Sequence, residues 1–144
     1  MIMTLEERTV LFLCSANAAR SQMAEGLLRH HAGDRYQVFS AGLNVTQVHP
    51  MAIQVMSEIG IDISQQKAKS VSTFLGKKTF FQVISVCHIT AEDCPRVFPG
   101  TFRILHWPLD DPANCDGSDE EKLGKFREIR DQINIKIQEW INEN

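Results

Sequence analysis

The sequence predicts an α/β chain in which a four-stranded parallel sheet is covered by helices on both faces. Three observations predict it. Short apolar runs rich in β-branched and aromatic residues alternate with stretches whose apolar residues recur every three or four positions, so strands alternate with helices. That alternation implies right-handed crossovers and a parallel sheet buried on both sides. The length, 144 residues, is that of one domain spanning 1–144 with a single core.

The first strand is "TVLFLC" (Thr9–Cys14). The helix after it carries Met23, Ala24, Leu27 and Leu28 on one face and stops at Gly33, a natural C′ residue. "YQVFSAG" is a second strand ending in Gly42. "HPMAIQVMSEIG" is a second helix: Pro50 suits its first turn, Ala52, Val55, Met56 and Ile59 form its stripe, and Gly60 ends it. "DISQQKAKSVSTF" reads as loop and then a short helix. "TFFQVISVC" (Thr79–Cys87) is the most strand-like stretch and reads as central and buried. "HITAEDCPRVFPG" is irregular, "TFRILHW" is a fourth strand, and Pro108 closes it. Ser118 and Glu121 form a capping box before a long helix whose stripe is Leu123, Phe126, Ile129, Ile133, Ile137 and Ile141.

Four strands are most economically arranged in the three-layer, flavodoxin-like order 2-1-3-4. Ligands then sit at the carboxyl edge, where the order reverses between strands one and three. Cys14 ends strand one and Cys87 ends strand three. Neighbouring parallel strands lie ~4.8 Å apart, so both thiols are expected to face one crevice.

Composition removes other classes. A net charge of −3 and a pI near 5.9 argue against nucleic acid as a partner, which would want a basic face. No stretch approaches the ~18 continuous apolar residues of a membrane span. The charged start "MIMTLEERTV" lacks an apolar signal core, which points to the cytoplasm. The four cysteines then read as catalytic, redox-active or metal-binding rather than as structural disulfides.

The stretch "CSANAARS" supplies the chemistry. A short turn between a strand end and a helix start aims backbone N–H groups of Ser15, Ala16, Asn17, Ala18, Ala19 and Arg20 inward as an oxyanion nest. The Arg20 guanidinium adds a planar fork for tetrahedral oxygens. The same positive field favours the nucleophilic thiolate form of Cys14. Ser21 can donate a hydrogen bond to that sulfur, and Asn17 can brace the loop. This builds thiolate attack on a bound oxyanion. A bare C-x5-R would favour a buried structural cysteine beside an unrelated surface arginine; the strand before and the helix after reverse that in favour of chemistry.

Cys14 to Arg20 followed by Ser21 resembles the phosphate loop shared by low-molecular-weight protein tyrosine phosphatases and thioredoxin-coupled arsenate reductases. "FSAG", "HPMAI", "GIDIS", "VISVC" and "HWPLDDPA" also look like stretches of that family. The resemblance implies that Cys14 is the nucleophile and Asp111, in "DDPA", the general acid. It also implies that Cys87 and Cys94, in "CHITAEDCP", are a redox-active pair: Cys87 attacks the arsenylated Cys14, and Cys94 resolves the resulting disulfide. The seven residues from Cys87 to Cys94 can extend ~23 Å or fold back, which gives the slack for such a relay. Two buried cysteines, or a metal held by Cys87, His88 and Cys94, are the other readings; a metal would want a second close pair of ligands, and none is evident.

Phosphatases of the family resemble one another in having Pro after the Arg-Ser pair and Tyr after the Asp-Pro pair. Here Gln22 and Ala113 stand in those places, and the single tyrosine, Tyr36, lies away from the edge. Some reductases of the family bind potassium beside the loop. Asn17, Glu25 and Ser40 match that site, but Lys69 stands where an acid is expected, which implies no potassium requirement and no metal. Ala16 and Ala19 replace a Gly and a Cys common in relatives. Cys115 matches nothing in the pattern and reads as incidental. His49, before Pro50, reads as structural, and His30 and His31 as helix C-terminal residues.

The expected activity is reduction of arsenate to arsenite by a Cys14–Cys87–Cys94 relay in a cytoplasmic monomer without cofactors, regenerated by thioredoxin. The alternative is a phosphatase acting through a phosphorylated Cys14. A non-catalytic oxyanion-binding module is a third reading.

Overall fold

In the computed structural model, which describes residues 4, 7–87, 101 and 103–144, the four strands pair in the order β2-β1-β3-β4, all parallel. They are β1 (Thr9–Cys14), β2 (Gln37–Gly42), β3 (Gln82–Ser85) and β4 (Ile104–His106). The helices are α1 (Arg20–Ala32), α2 (Pro50–Ser57) and α3 (Asp119–Glu143). The predicted order is therefore the observed one.

Alternation along β1 divides the core. Val10, Phe12 and Cys14 share one cluster with Ile84, Met23, Leu27 and Leu28 of α1, Val55 and Met56 of α2, and Phe126, Ile129 and Ile133 of α3. Leu11, Leu13 and Val83 face the other way, into a cluster with Phe74 and Phe80. Among the described residues that second face is covered by the 71–80 segment, which opens on a short 3₁₀ turn (Val71–Thr73). Phe39, Phe74 and Phe80 meet edge to face there at 5.6–5.7 Å, a favoured aromatic geometry.

Element ends differ from the sequence reading for identifiable reasons. The third strand begins at Gln82, not Thr79, because Phe80 turns into the second cluster and the Phe81 N–H donates to Thr9 Oγ1 at 3.2 Å rather than to a ladder carbonyl. The fourth is an edge strand of three residues. Gly33 follows α1 as expected, but with φ −65° it is not left-handed; a Cβ there would press on the Arg29 carbonyl. Ile59 leaves the predicted stripe: α2 ends at Ser57, and Ile59 lies in the following turn, 40% exposed.

The long helix is capped as read. Ser118 Oγ accepts from the Glu121 N–H at 3.2 Å and Glu121 Oε1 from the Ser118 N–H at 3.4 Å. Trp140, absent from the predicted stripe, is buried against Tyr36 at 5.0 Å. This holds the only tyrosine at the far end of β2 from the carboxyl edge. Arg130 ties α3 to α2 through the Val55 carbonyl (2.8 Å) and Glu58 (3.0 Å).

Candidate active site

The register sets Cys14 opposite Gly42 and Leu13 opposite Ser85, so the β1 end lies between two neighbours at the carboxyl edge. Five residues then lead to Arg20, the first residue of α1. Of the three helices, α2 and α3 are capped by the side chains of His49 and Ser118, whereas α1 has Ala19 at its N-cap and no side-chain cap. A helix start leaves up to four N–H groups without partners in the helix, and an anion satisfies them well.

The loop carbonyls are turned away and tied down. Ser15 O accepts from the N–H groups of Leu43 and Asn44 at 2.8 Å each, Ala16 O from Thr46 at 3.2 Å, and Ala18 O from His49 at 2.9 Å. Asn17 makes the reversal: it is fully buried with φ +53°, a conformation that asparagine tolerates better than most residues.

Hydrogen-bond polarity around Cys14 follows from groups that can play only one role. The Lys69 N–H donates to Asn17 Oδ1 at 2.8 Å, so the Asn17 amide nitrogen faces Ser21 (2.8 Å) and Ser40 (3.0 Å). Ser40 spends its own hydrogen on Glu25 Oε1 at 2.6 Å. Ser21, accepting from Asn17, has its own hydrogen to give to Cys14 Sγ at 2.8 Å, and the Asn17 N–H donates to the sulfur at 3.2 Å.

Arg20 is 6% exposed. Its Nη1 donates to the Leu109 carbonyl at 3.0 Å, and Nη2 lies 3.6 Å from Asp111 Oδ2. Asp111 caps a second 3₁₀ turn (Pro112–Asn114), accepting from the Ala113 N–H on Oδ1 at 3.0 Å, which leaves Oδ2 toward the arginine. Cys14, Arg20, Asp111, Ala113 and His49 share a cavity of about 410 Å³. A neighbouring depression of about 690 Å³ shares Arg20 and Asp111 and adds Lys125 and Cys115. The cysteine read as incidental therefore lies on the wall of this region.

Cys87 is fully buried two residues beyond β3, with Sγ 3.9 Å from the carbonyl of Leu13, the residue before Cys14. Cys94 lies outside the described residues, as does His88. Among the described residues no group of three His, Cys, Asp or Glu is placed to hold a metal ion, and no helix is long and apolar enough to cross a membrane. Glu25 is buried with Arg29 at 2.9 Å and the Lys69 ammonium at 3.6 Å, and that ammonium also donates to the Lys67 carbonyl at 2.6 Å. A cation thus already stands beside Glu25, on the carboxylate oxygen that accepts from Ser40.

His49 was read only as a residue at a helix start, and it is the α2 N-cap: its Nδ1 accepts from the Met51 N–H at 3.1 Å, so its proton is on Nε2. Burial holds its pKa below the ordinary 6.5; the Asp111 carboxylate opposes this and the Lys122 ammonium adds to it. As pH falls, the unfolded chain takes up this proton before the folded one does. The residue's contribution to stability is therefore whole above about pH 6.5 and declines on acidification toward the lower folded-state value. The melting temperature of wild type should fall more between about pH 7 and 5 than that of His49→Asn, which keeps a capping oxygen and does not titrate. Parallel curves would contradict it.

Comparison with known proteins places these features in a family. The family "Low molecular weight phosphotyrosine protein phosphatase" matches residues 9–143. The arsenate reductase of Halalkalibacterium halodurans is 41% identical over 133 residues, covering 92% of this chain and 94% of that protein. A solved structure described as an arsenate reductase in the phosphate binding state superposes with a TM-score of 0.79 at 33% identity, covering 94% of this chain and 98% of that one. A thioredoxin-dependent arsenate reductase of Corynebacterium glutamicum gives a TM-score of 0.68 at 32% identity, with 94% of this chain and 60% of that one covered. Matched by the family over residues 9–143 and by these proteins over 92–94% of its length, the chain belongs to the low molecular weight phosphotyrosine protein phosphatase family, alongside proteins described as arsenate reductases.

Proposed function

We propose that this protein reduces arsenate to arsenite, and that Cys14, Cys87 and Cys94 carry the electrons. The observation that carries the reading is the pairing of Cys14, on its oxyanion loop, with a second buried thiol, Cys87, next to the Leu13 carbonyl. Hydrolysis of a phosphate ester has no use for that second thiol. Reduction of arsenic needs two.

Arsenate binds with its oxygens on the N–H groups of Ser15–Arg20 and on the Arg20 fork, where the developing charge is met by donors already in place. Cys14 attacks arsenic, and an oxygen leaves as water on a proton from Asp111. Cys87 then attacks Cys14 Sγ. The sulfur–arsenic bond breaks with its electron pair passing to arsenic, so As(V) becomes As(III) and two thiols become the Cys14–Cys87 disulfide. Cys94 attacks Cys87 and displaces Cys14 as a thiolate, the better leaving group where it is hydrogen-bonded. The Cys87–Cys94 disulfide is reduced by thioredoxin, which the thioredoxin-dependent relative supports as the donor. Such a cycle belongs in a reducing compartment, so the protein works in the cytoplasm, and as a monomer.

The Asp111–Arg20 pair and the loop also suit phosphoryl transfer, which keeps a phosphatase as the second reading. Arsenite production with thioredoxin, thioredoxin reductase and NADPH, run beside hydrolysis of an aryl phosphate, separates the two. Turnover of arsenate is expected to dominate. Background arsenite with brisk hydrolysis would reverse the assignment.

The Lys69 ammonium beside Glu25 supports a reaction without a bound alkali cation. Arsenate turnover should respond alike to added potassium and sodium. Saturable activation by potassium alone would overturn this.

A further inference from the structure

We propose that Gln22, held in one orientation by Gln66 and Arg29, is a positioning residue that sets the direction of the hydrogen bonds reaching Cys14. Gln22 is fully buried on the first turn of α1, where a polar side chain needs a purpose. Its Nε2 lies 2.9 Å from Asn17 Oδ1, 3.1 Å from the Asn17 carbonyl and 3.0 Å from the Lys67 carbonyl. All three are acceptors, so two hydrogens serve three oxygens.

An amide can be turned end for end at little steric cost, so its direction is set by its partners: the Asn17 and Lys67 carbonyls require its nitrogen on their side. A chain of contacts from the surface sets the same direction from its oxygen end. Arg29 can only donate, and its Nη1 gives a hydrogen to Gln66 Oε1 at 3.2 Å. The Gln66 nitrogen is thereby the end that faces Gln22, donating to Gln22 Oε1 at 2.7 Å and to the Gln22 carbonyl at 3.0 Å. That directs the Gln22 nitrogen toward Asn17. Gln22 and the Lys69 N–H then hold Asn17 Oδ1 from two sides. The Asn17 nitrogen is kept on Ser21, and the Ser21 hydrogen on the sulfur. Asn17 is also the residue with φ +53°, so the same contacts hold the loop reversal. The partly exposed Gln66 thus bears on the nucleophile through two amides.

The test uses Gln22→Glu, Gln22→Met and Gln66→Met in the full chain, with the Cys14 peptide quantified after iodoacetamide treatment across pH. Gln22→Glu is nearly isosteric but turns an acceptor toward three acceptors, and no flip of Asn17 relieves this, because its nitrogen would then face the Lys69 N–H. Gln22→Met removes the donors alone. Both should move the pH midpoint of Cys14 alkylation upward and slow alkylation at pH 7 about tenfold, the scale of one hydrogen bond to a charged group. Gln66→Met should shift the midpoint the same way by less, and Gln22→Met/Gln66→Met should add nothing to Gln22→Met. A merely structural glutamine would lower the melting temperature and leave the midpoint alone. Unchanged midpoints in the folded variants would overturn the proposal, and should neither Gln22 variant fold, an unchanged midpoint in Gln66→Met does so alone. Alkylation consumes no arsenate, so the result stands apart from whether the wild type reduces arsenate.

Discussion

Gly42→Ala should lose up to about a hundredfold in arsenate turnover while remaining folded, because one added methyl would displace the loop after Cys14 by a sizeable part of an ångström. A Cβ at position 42 would lie 2.7 Å from the Asn17 nitrogen and 2.9 Å from both the Ala16 carbonyl carbon and the Ser15 carbonyl oxygen. Each is a main-chain atom of the loop, so no side chain can swing aside. The displaced nitrogen is the one that donates to Cys14 Sγ. Overpacking of this kind costs about 1–3 kcal/mol, which a domain stable by about 5–15 kcal/mol survives. Gly42 is not left-handed; only its missing Cβ matters. Gly124→Ala is the matched control: exposed within α3, with nothing within 4 Å of the added atom, it should leave turnover unchanged and slightly raise the melting temperature. Circular dichroism and kcat/KM for arsenate decide the case, and near-normal turnover by Gly42→Ala would show that the loop has slack.

The relay predicts an equally large effect of another kind. Cys94→Ser should bind arsenate, form the Cys14 adduct and let Cys87 attack it, releasing about one arsenite per protein before stopping, since a serine hydroxyl is a far poorer attacker than a thiolate. The stalled species should be a Cys14–Cys87 disulfide, visible by peptide mass mapping without reductant. Cys87→Ser should stop before appreciable arsenite release. Cys115→Ser should turn over normally although Cys115 lines the neighbouring depression, since among the described residues its Sγ engages the Asp116 carbonyl at 3.3 Å and no group of the Cys14 loop. Sustained turnover of Cys94→Ser with thioredoxin as sole reductant would mean that the donor attacks the Cys14–Cys87 bond directly.

Sheet order and the nearness of Cys14 to Arg20 were legible because each depends on patterns local in sequence, whereas Asp111 at the same cavity was legible only through the family resemblance. Runs of period two or 3.6 reveal strands and helices, and topology rules then bring the carboxyl ends together. What the sequence hid depends on contacts across long separations. Gln22 and Gln66 are 44 residues apart, and nothing in either neighbourhood announces the other. Gly42 reads as a strand end, whereas its reason lies in the backbone of residues 15–17. Ile59 followed the helical period and was misplaced because the period does not reveal that α2 ends two residues earlier. Trp140 lies one position off the aliphatic stripe that ends at Ile141, so the stripe does not reveal that it is buried.

The 43–49 segment connects β2 to α2 and would ordinarily be the place where relatives differ in length. Here its N–H groups at Leu43, Asn44, Thr46 and His49 are spaced to meet the carbonyls of Ser15, Ala16 and Ala18, so its main chain is the mould in which the turn after Cys14 is cast. Such a loop is fixed in its count and, at His49, in its side chain as well. Substitution at the exposed Asn44 or Val45 is an ordinary surface event, but an insertion or deletion of one residue would throw every later amide out of step with its carbonyl. Variation in this protein's lineage is thus channelled: the segment can change its chemistry toward solvent or a docking partner without touching the turn beneath, provided that it keeps its length.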